Sequence, residues 1–134
     1  MANRSGAARK LSGSTQGSSL SDEFLRRIFS IVAMPEDWNG GSEARIEPAT
    51  AAAAVRLASA STRVAPEPAV GPSPDGSVLL EWNPAPAVAM EAYVPPPGVE
   101  GYEVVVSRSG EVVDTRLATL DDVLARLAEV VGQA

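Results

Sequence analysis

The chain has no cysteine and no histidine among its 134 residues. The first absence excludes a disulfide framework and any thiolate metal centre. The second removes the usual general base together with the commonest metal ligand, so neither a Ser-His-Asp nor a Cys-His arrangement can be built. Lysine is reduced to Lys10, and a Ser-Lys dyad would need that residue held rigidly, in a stretch with no ordered pattern. No apolar run approaches the ~20 residues that a membrane-spanning helix needs. The N-terminal stretch is basic but lacks the apolar centre of a secretory signal. Absence of cysteine fits a reducing, cytoplasmic setting.

Lys and Arg total 11 against 17 Asp and Glu, a net charge of −6. That balance argues against nucleic acid as a partner of the body of the chain, because phosphate contacts need clustered cations. Arg4, Arg9 and Lys10 do lie together, in a stretch without a single acid. A basic tail of this kind could contact nucleic acid or an acidic partner. Its Ser, Gly and Ala content reads more simply as a disordered tail over residues 1–19, too poor in apolar surface to offset ordering entropy. The remainder, 20–134, has the length of one compact domain.

What is present is organised around Pro74-Asp75-Gly76-Ser77-Val78-Leu79-Leu80-Glu81-Trp82. Asp-Gly supplies the backbone that a tight hairpin turn requires. Val78, Leu80 and Trp82 then share one face of a strand over 77–83, with Leu79 and Glu81 on the other. Before it, Ser21 caps a helix over 21–33 in which Phe24, Leu25, Ile28, Ile31 and Val32 form the apolar side. Phe29 falls near the polar side and is read as widening the apolar face. Pro48 opens an alanine-rich helix to Ser61, with Val55, Leu57 and Ala58 pointing inward. Four prolines in 64–74 allow at most an edge strand around Val70. Further strands are expected over 87–94, 102–107 and 111–116, with turns at Asn83-Pro84-Ala85-Pro86 and Ser109-Gly110. Thr119 caps a C-terminal helix with Leu120, Val123, Leu124, Leu127, Val130 and Val131 in one stripe, ended by Gly132. The expected fold is α+β: two N-terminal helices, an antiparallel meander of four to five strands, and a C-terminal helix packed on the sheet.

Few residues offer chemistry. Glu81 and Glu91 lie on consecutive strands with matching parity, so a suitable register would make them a carboxylate pair or a hard-cation site. The alternative is that they solubilise an outer face, since a dyad needs a pocket to perturb its acidity. Gly40-Gly41 is a weak anion nest without the spacing of a phosphate loop, and Glu36, Asp37 and Glu43 around it repel phosphate. Asp121 and Asp122 are explained by the helix dipole. No catalytic residue, metal site or cofactor is expected.

Trp38 and Trp82 read first as core anchors, though aromatics of this kind also serve as interface anchors. If the Val78 side of the sheet faces the helices, the other side carries Leu79, Tyr93, Val105 and Val113 among Glu81, Glu91 and Glu103. That is an apolar patch rimmed by acids, suited to a basic protein partner or one with an apolar docking surface. The competing arrangement puts a helix on each face and leaves nothing for a partner.

Trp38-Asn39-Gly40, Ile46 with Pro48 opening a helix, Pro74-Asp75-Gly76 and Leu80-Glu81-Trp82 together resemble a group of small bacterial proteins. Their pattern is Trp-Asp-Gly-Tyr-Gly-Ala with an Ile and a Pro soon after, then Pro-x-x-Asp-Gly and Leu-Glu-Trp. The resemblance spans roughly residues 34–116, with Asn39, Gly41 and Ser42 standing where Asp, Tyr and Gly are usual. It implies a bacterial, cytoplasmic, compact α+β domain and no particular activity.

The expected function is therefore a non-catalytic protein-interaction module, a small partner or accessory subunit of the antitoxin or immunity-protein kind. It would bind another protein through Leu79, Glu81, Glu91, Tyr93 and Glu103 on the sheet face, or through Trp38. Two alternatives are a carboxylate-based or metal-dependent hydrolase centred on Glu81 and Glu91, and nucleic-acid contact through the basic tail.

Overall fold

A computed structural model describes residues 20–133, and the tail expected over 1–19 lies outside the described residues. The first helix, α1, runs Asp22–Ala33. Ser21 Oγ accepts from the Phe24 amide at 3.0 Å and donates to Glu67 Oε2 at 2.7 Å, while the Ser21 amide donates to Glu67 Oε1 at 2.7 Å. One carboxylate thus ties the helix start to the proline-rich connector. Phe24, Ile28 and Ile31 are buried. Phe29 is 73% exposed, so it does not widen the apolar face as expected. It points away from the core.

Helix α2 (Pro48–Ser61) buries Thr50, Ala51, Ala54, Leu57, Ala58 and Ser61, leaving Val55 only half-buried on its flank. The inward row therefore centres on small side chains rather than on Val55. Alanines let the helix axis approach the sheet closely, whereas a branched side chain would hold it away. Ser61 completes the contact: its hydroxyl donates to the Ala58 carbonyl at 2.7 Å and accepts from Trp82 Nε1 at 3.2 Å. A buried indole N–H is thereby satisfied.

The sheet contains β1 (Ala69–Pro72), β2 (Val78–Ala85), β3 (Val88–Val94), β4 (Tyr102–Arg108) and β5 (Glu111–Ala118). Their order is sequential and every pairing is antiparallel. Between β1 and β2, Gly76 adopts φ 93° and Asp75 Oδ1 accepts from the Ser77 amide at 2.9 Å. Ser109 and Gly110 both take positive φ, 53° and 83°, as the tight β4–β5 turn requires. β2 runs two residues past its expected end because an irregularity between Trp82 and Ala85 absorbs Pro84, one of the places where a strand tolerates proline. Helix α3 (Leu120–Gln133) similarly passes through Gly132, which does not end it. Its buried stripe is Val123, Leu127 and Val130.

Burial alternates cleanly along the central strands. Val78, Leu80 and Trp82 on β2, Val88, Met90, Ala92 and Val94 on β3, and Val104 and Val106 on β4 are buried. All of them join one core with Phe24, Ile31, Leu57, Val123 and Leu127 from the helices. The three helices accordingly share one side of the sheet. Among the described residues nothing covers the other side.

Candidate functional site

The register assembles the uncovered face in two rows. One runs Leu79, Tyr93, Glu103, Leu117 across β2 to β5, and the next runs Glu81, Glu91, Val105, Thr115. Glu81 and Glu91 are thus directly opposed, and Glu103 lies diagonally across from Glu91 on the next strand. Side chains opposed in this way approach to roughly 5 Å at Cβ and, when alike in charge, repel. Leu79, Glu81, Glu91, Tyr93 and Val105 are half-buried, Glu103 is exposed, and Leu117 is 74% exposed. Three carboxylates therefore surround an apolar surface that no element of the described chain protects.

Tyr93 is where the two chemistries meet. Its hydroxyl donates to Glu91 Oε1 at 3.3 Å. Partial burial pushes its phenol up from the ordinary value; the charge of Glu91, the hydrogen bond to it, and the charges of Glu103 and Glu81 push the same way. The ring stays neutral at physiological pH and presents an apolar face with its one donor already engaged.

The sheet face brings together Leu79, Glu81, Glu91, Tyr93 and Glu103, and leaves Trp38 apart. Trp38 sits in the loop before α2, half-buried, with Nε1 donating to the Ala44 carbonyl at 3.3 Å. That loop is tied to the β1–β2 turn through the Ala44 amide and the Pro74 carbonyl at 2.8 Å. Trp38 holds the loop's own shape. The glycine pair beside it is occupied as well: Glu43 Oε1 accepts from the amides of Asn39 at 3.2 Å and Gly41 at 3.0 Å. The nest binds an anion, and the anion is the chain's own. The Gly41 amide, with smaller help from the amides of Glu43 and Asn39, holds the Glu43 carboxyl below its usual range against a lesser opposing effect of desolvation.

The carboxylate pair has the register that the hydrolase reading requires, but both side chains stand on the open face. A shallow groove of about 260 Å³ reaches Glu81 with Ala65, Pro66, Glu67 and Asn83, and Glu91 does not line it. Among the described residues no group of three or more acidic side chains is placed to hold a metal ion. No described helix is long and apolar enough to cross a membrane.

Sequence reasoning missed Leu117 because it ended the last strand at Arg116, and continuing the alternation one residue would have placed it on the patch; Thr115 lay within that strand but was not singled out. Val113, expected there, lies at an irregularity between the pairs Val106–Asp114 and Ser107–Val112. No family model, curated protein or solved structure matches the chain.

Proposed function

We propose that the protein is a non-catalytic binding module that engages another protein through the uncovered face of its sheet. The observation that carries this reading is the patch itself: Leu79, Tyr93, Val105 and Leu117 in register with Glu81, Glu91 and Glu103, with all three helices on the opposite side. Three opposed or diagonal carboxylates cost folding stability, and among the described residues their one hydrogen bond is to the Tyr93 hydroxyl. A partner carrying Lys or Arg around an apolar centre would neutralise them and cover the ring. The net charge of −6 supports a basic partner. A cytoplasmic accessory subunit of a bacterial cell, of the antitoxin or immunity-protein kind, fits these features and the resemblance around Trp38 and Leu80-Glu81-Trp82.

The test is affinity capture from the native host with wild type beside a Leu79→Ala, Tyr93→Ala double variant, followed by reconstitution with the purified partner. One stoichiometric partner, lost with the variant and weakened by salt, is expected. Equal capture by both proteins would overturn the reading, as would capture of nothing.

A further inference from the structure

We propose that β5 is a self-complementary edge, and that two copies of this chain pair antiparallel through it about a two-fold axis at Thr115, joining their sheets into one. This stands independently of the partner reading above, since it concerns the edge of the sheet rather than its face.

The two edges of the sheet are treated differently. β1 is four residues long, contains Pro72, and has its Val70 carbonyl occupied by Arg27 Nε at 3.3 Å. Short length and proline are the usual devices that blunt an edge. β5 has eight residues and neither proline nor lysine, and among the described residues it pairs only with β4. Val112 and Val113 are 62% and 53% exposed, and Leu117 is 74% exposed. An edge this long and unpaired, regular from Asp114 to Ala118 beyond the irregularity at Val113, is a template for another strand.

The sequence of that edge selects the partner. A two-fold axis perpendicular to the sheet preserves its faces, so paired residues must share a face and only even offsets are allowed. Centred on Thr115, the pairing sets Asp114 opposite Arg116 of the second copy, and Arg116 opposite its Asp114. On the other face Thr115 meets itself, and the chain beyond it runs towards the irregularity at Val113. Opposite charges and Thr–Thr pairs are favourable cross-strand combinations. Moving the axis to residue 114 opposes two aspartates, and moving it to residue 116 opposes two arginines. Of these three registers only the one centred on Thr115 sets opposite charges against each other.

The charges involved are poised for it. Arg116 is half-exposed and lies 2.7 Å from Asp114 Oδ2, with Arg126 Nε of α3 at 3.2 Å from the same oxygen. That oxygen is buried between the two guanidinium groups, while the Asp114 side chain as a whole stays 22% exposed. A guanidinium arriving from across the edge meets the exposed part of the carboxylate.

Sedimentation of the full chain from micromolar to near-millimolar concentration should show a reversible monomer–dimer equilibrium. Arg116→Asp, which opposes acids across the edge, should weaken it at least about tenfold. Because the chain has no cysteine, register is read directly by disulfide trapping under glutathione oxidation. Thr115→Cys should cross-link to itself, whereas Leu117→Cys alone should not. A wild type monomeric throughout overturns the proposal. So does a dimer indifferent to Arg116→Asp, or one in which Thr115→Cys fails to trap, either of which would place the contact on the sheet face or with another segment.

Discussion

Neutralising Glu81 should stabilise this protein while weakening its binding, and the two effects together test the reading of the sheet face. Glu81 on β2 is directly opposite Glu91 on β3, with both side chains half-buried and, among the described residues, neither in an ion pair. Directly opposed like charges in a sheet cost about 0.2–1 kcal/mol. Coulomb's law in a water-like dielectric gives about 1 kcal/mol at ~4 Å and less at longer range, so the two routes agree. Glu81→Gln keeps the shape of the side chain and removes the repulsion, for an expected gain of about 0.5 kcal/mol. In urea melts with a slope of ~1–3 kcal/mol per molar, the midpoint should rise by about 0.2–0.5 M. At high salt the gain should shrink towards zero, because the Debye length contracts to a few ångström. Affinity for a basic partner should fall in the same variant. A loss of stability on substitution, or a gain that salt leaves unchanged, would refute the electrostatic account of the patch. Undiminished binding would refute its function.

Three further predictions concern features around the patch. Ser61→Ala strands the buried Trp82 indole N–H and should cost about 1–3 kcal/mol in chemical denaturation, an effect expected to shrink in a Trp82→Phe background. The raised Tyr93 phenol should ionise above its ordinary value in ultraviolet difference titration, and Glu91→Gln should bring it down. Since an unfolded chain would ionise first, the stability tied to Tyr93 is complete below the ordinary tyrosine value and is lost as pH rises through the raised one. Glu43 has the opposite sign: its carboxyl, held below its usual range, contributes stability present above that range and lost as pH falls through the lowered value. Protection of the Asn39 and Gly41 amides, relative to their intrinsic exchange rates, should therefore fall in acid, and Glu43→Gln should flatten that dependence.

Local rules placed nearly every element because they act over a few residues at a time. Ser21 with acids after it starts a helix wherever it occurs, Gly76 and Gly110 supply the positive φ that tight turns demand, and the α3 stripe repeats at helical spacing. The same rules failed where two residues compete for one role. Phe29 is apolar enough to be buried yet is left 73% exposed, and Val55 packs only partly against the core, because which part of a helix faces the sheet is decided by residues distant in the chain. Pro84 and Gly132, residues that usually interrupt, are absorbed because the surrounding ladder and helix hold their neighbours in place.

The site shows the same division. Sequence alone determined that this chain cannot use histidine or cysteine chemistry, that it is acidic, and that Leu79, Tyr93 and Val105 share a strand face with Glu81, Glu91 and Glu103. It left open whether that face is covered, since β2, β3 and β4 carry apolar residues on both sides and the period of two is blind to which side meets a helix. Tertiary structure decided it by placing α1, α2 and α3 together on the Val78 side. It also decided the register that opposes Glu81 to Glu91, the filling of the glycine nest by Glu43, and the exposure of β5 as an edge. Each of these joins residues far apart in the chain, and only the packed fold brings them within reach.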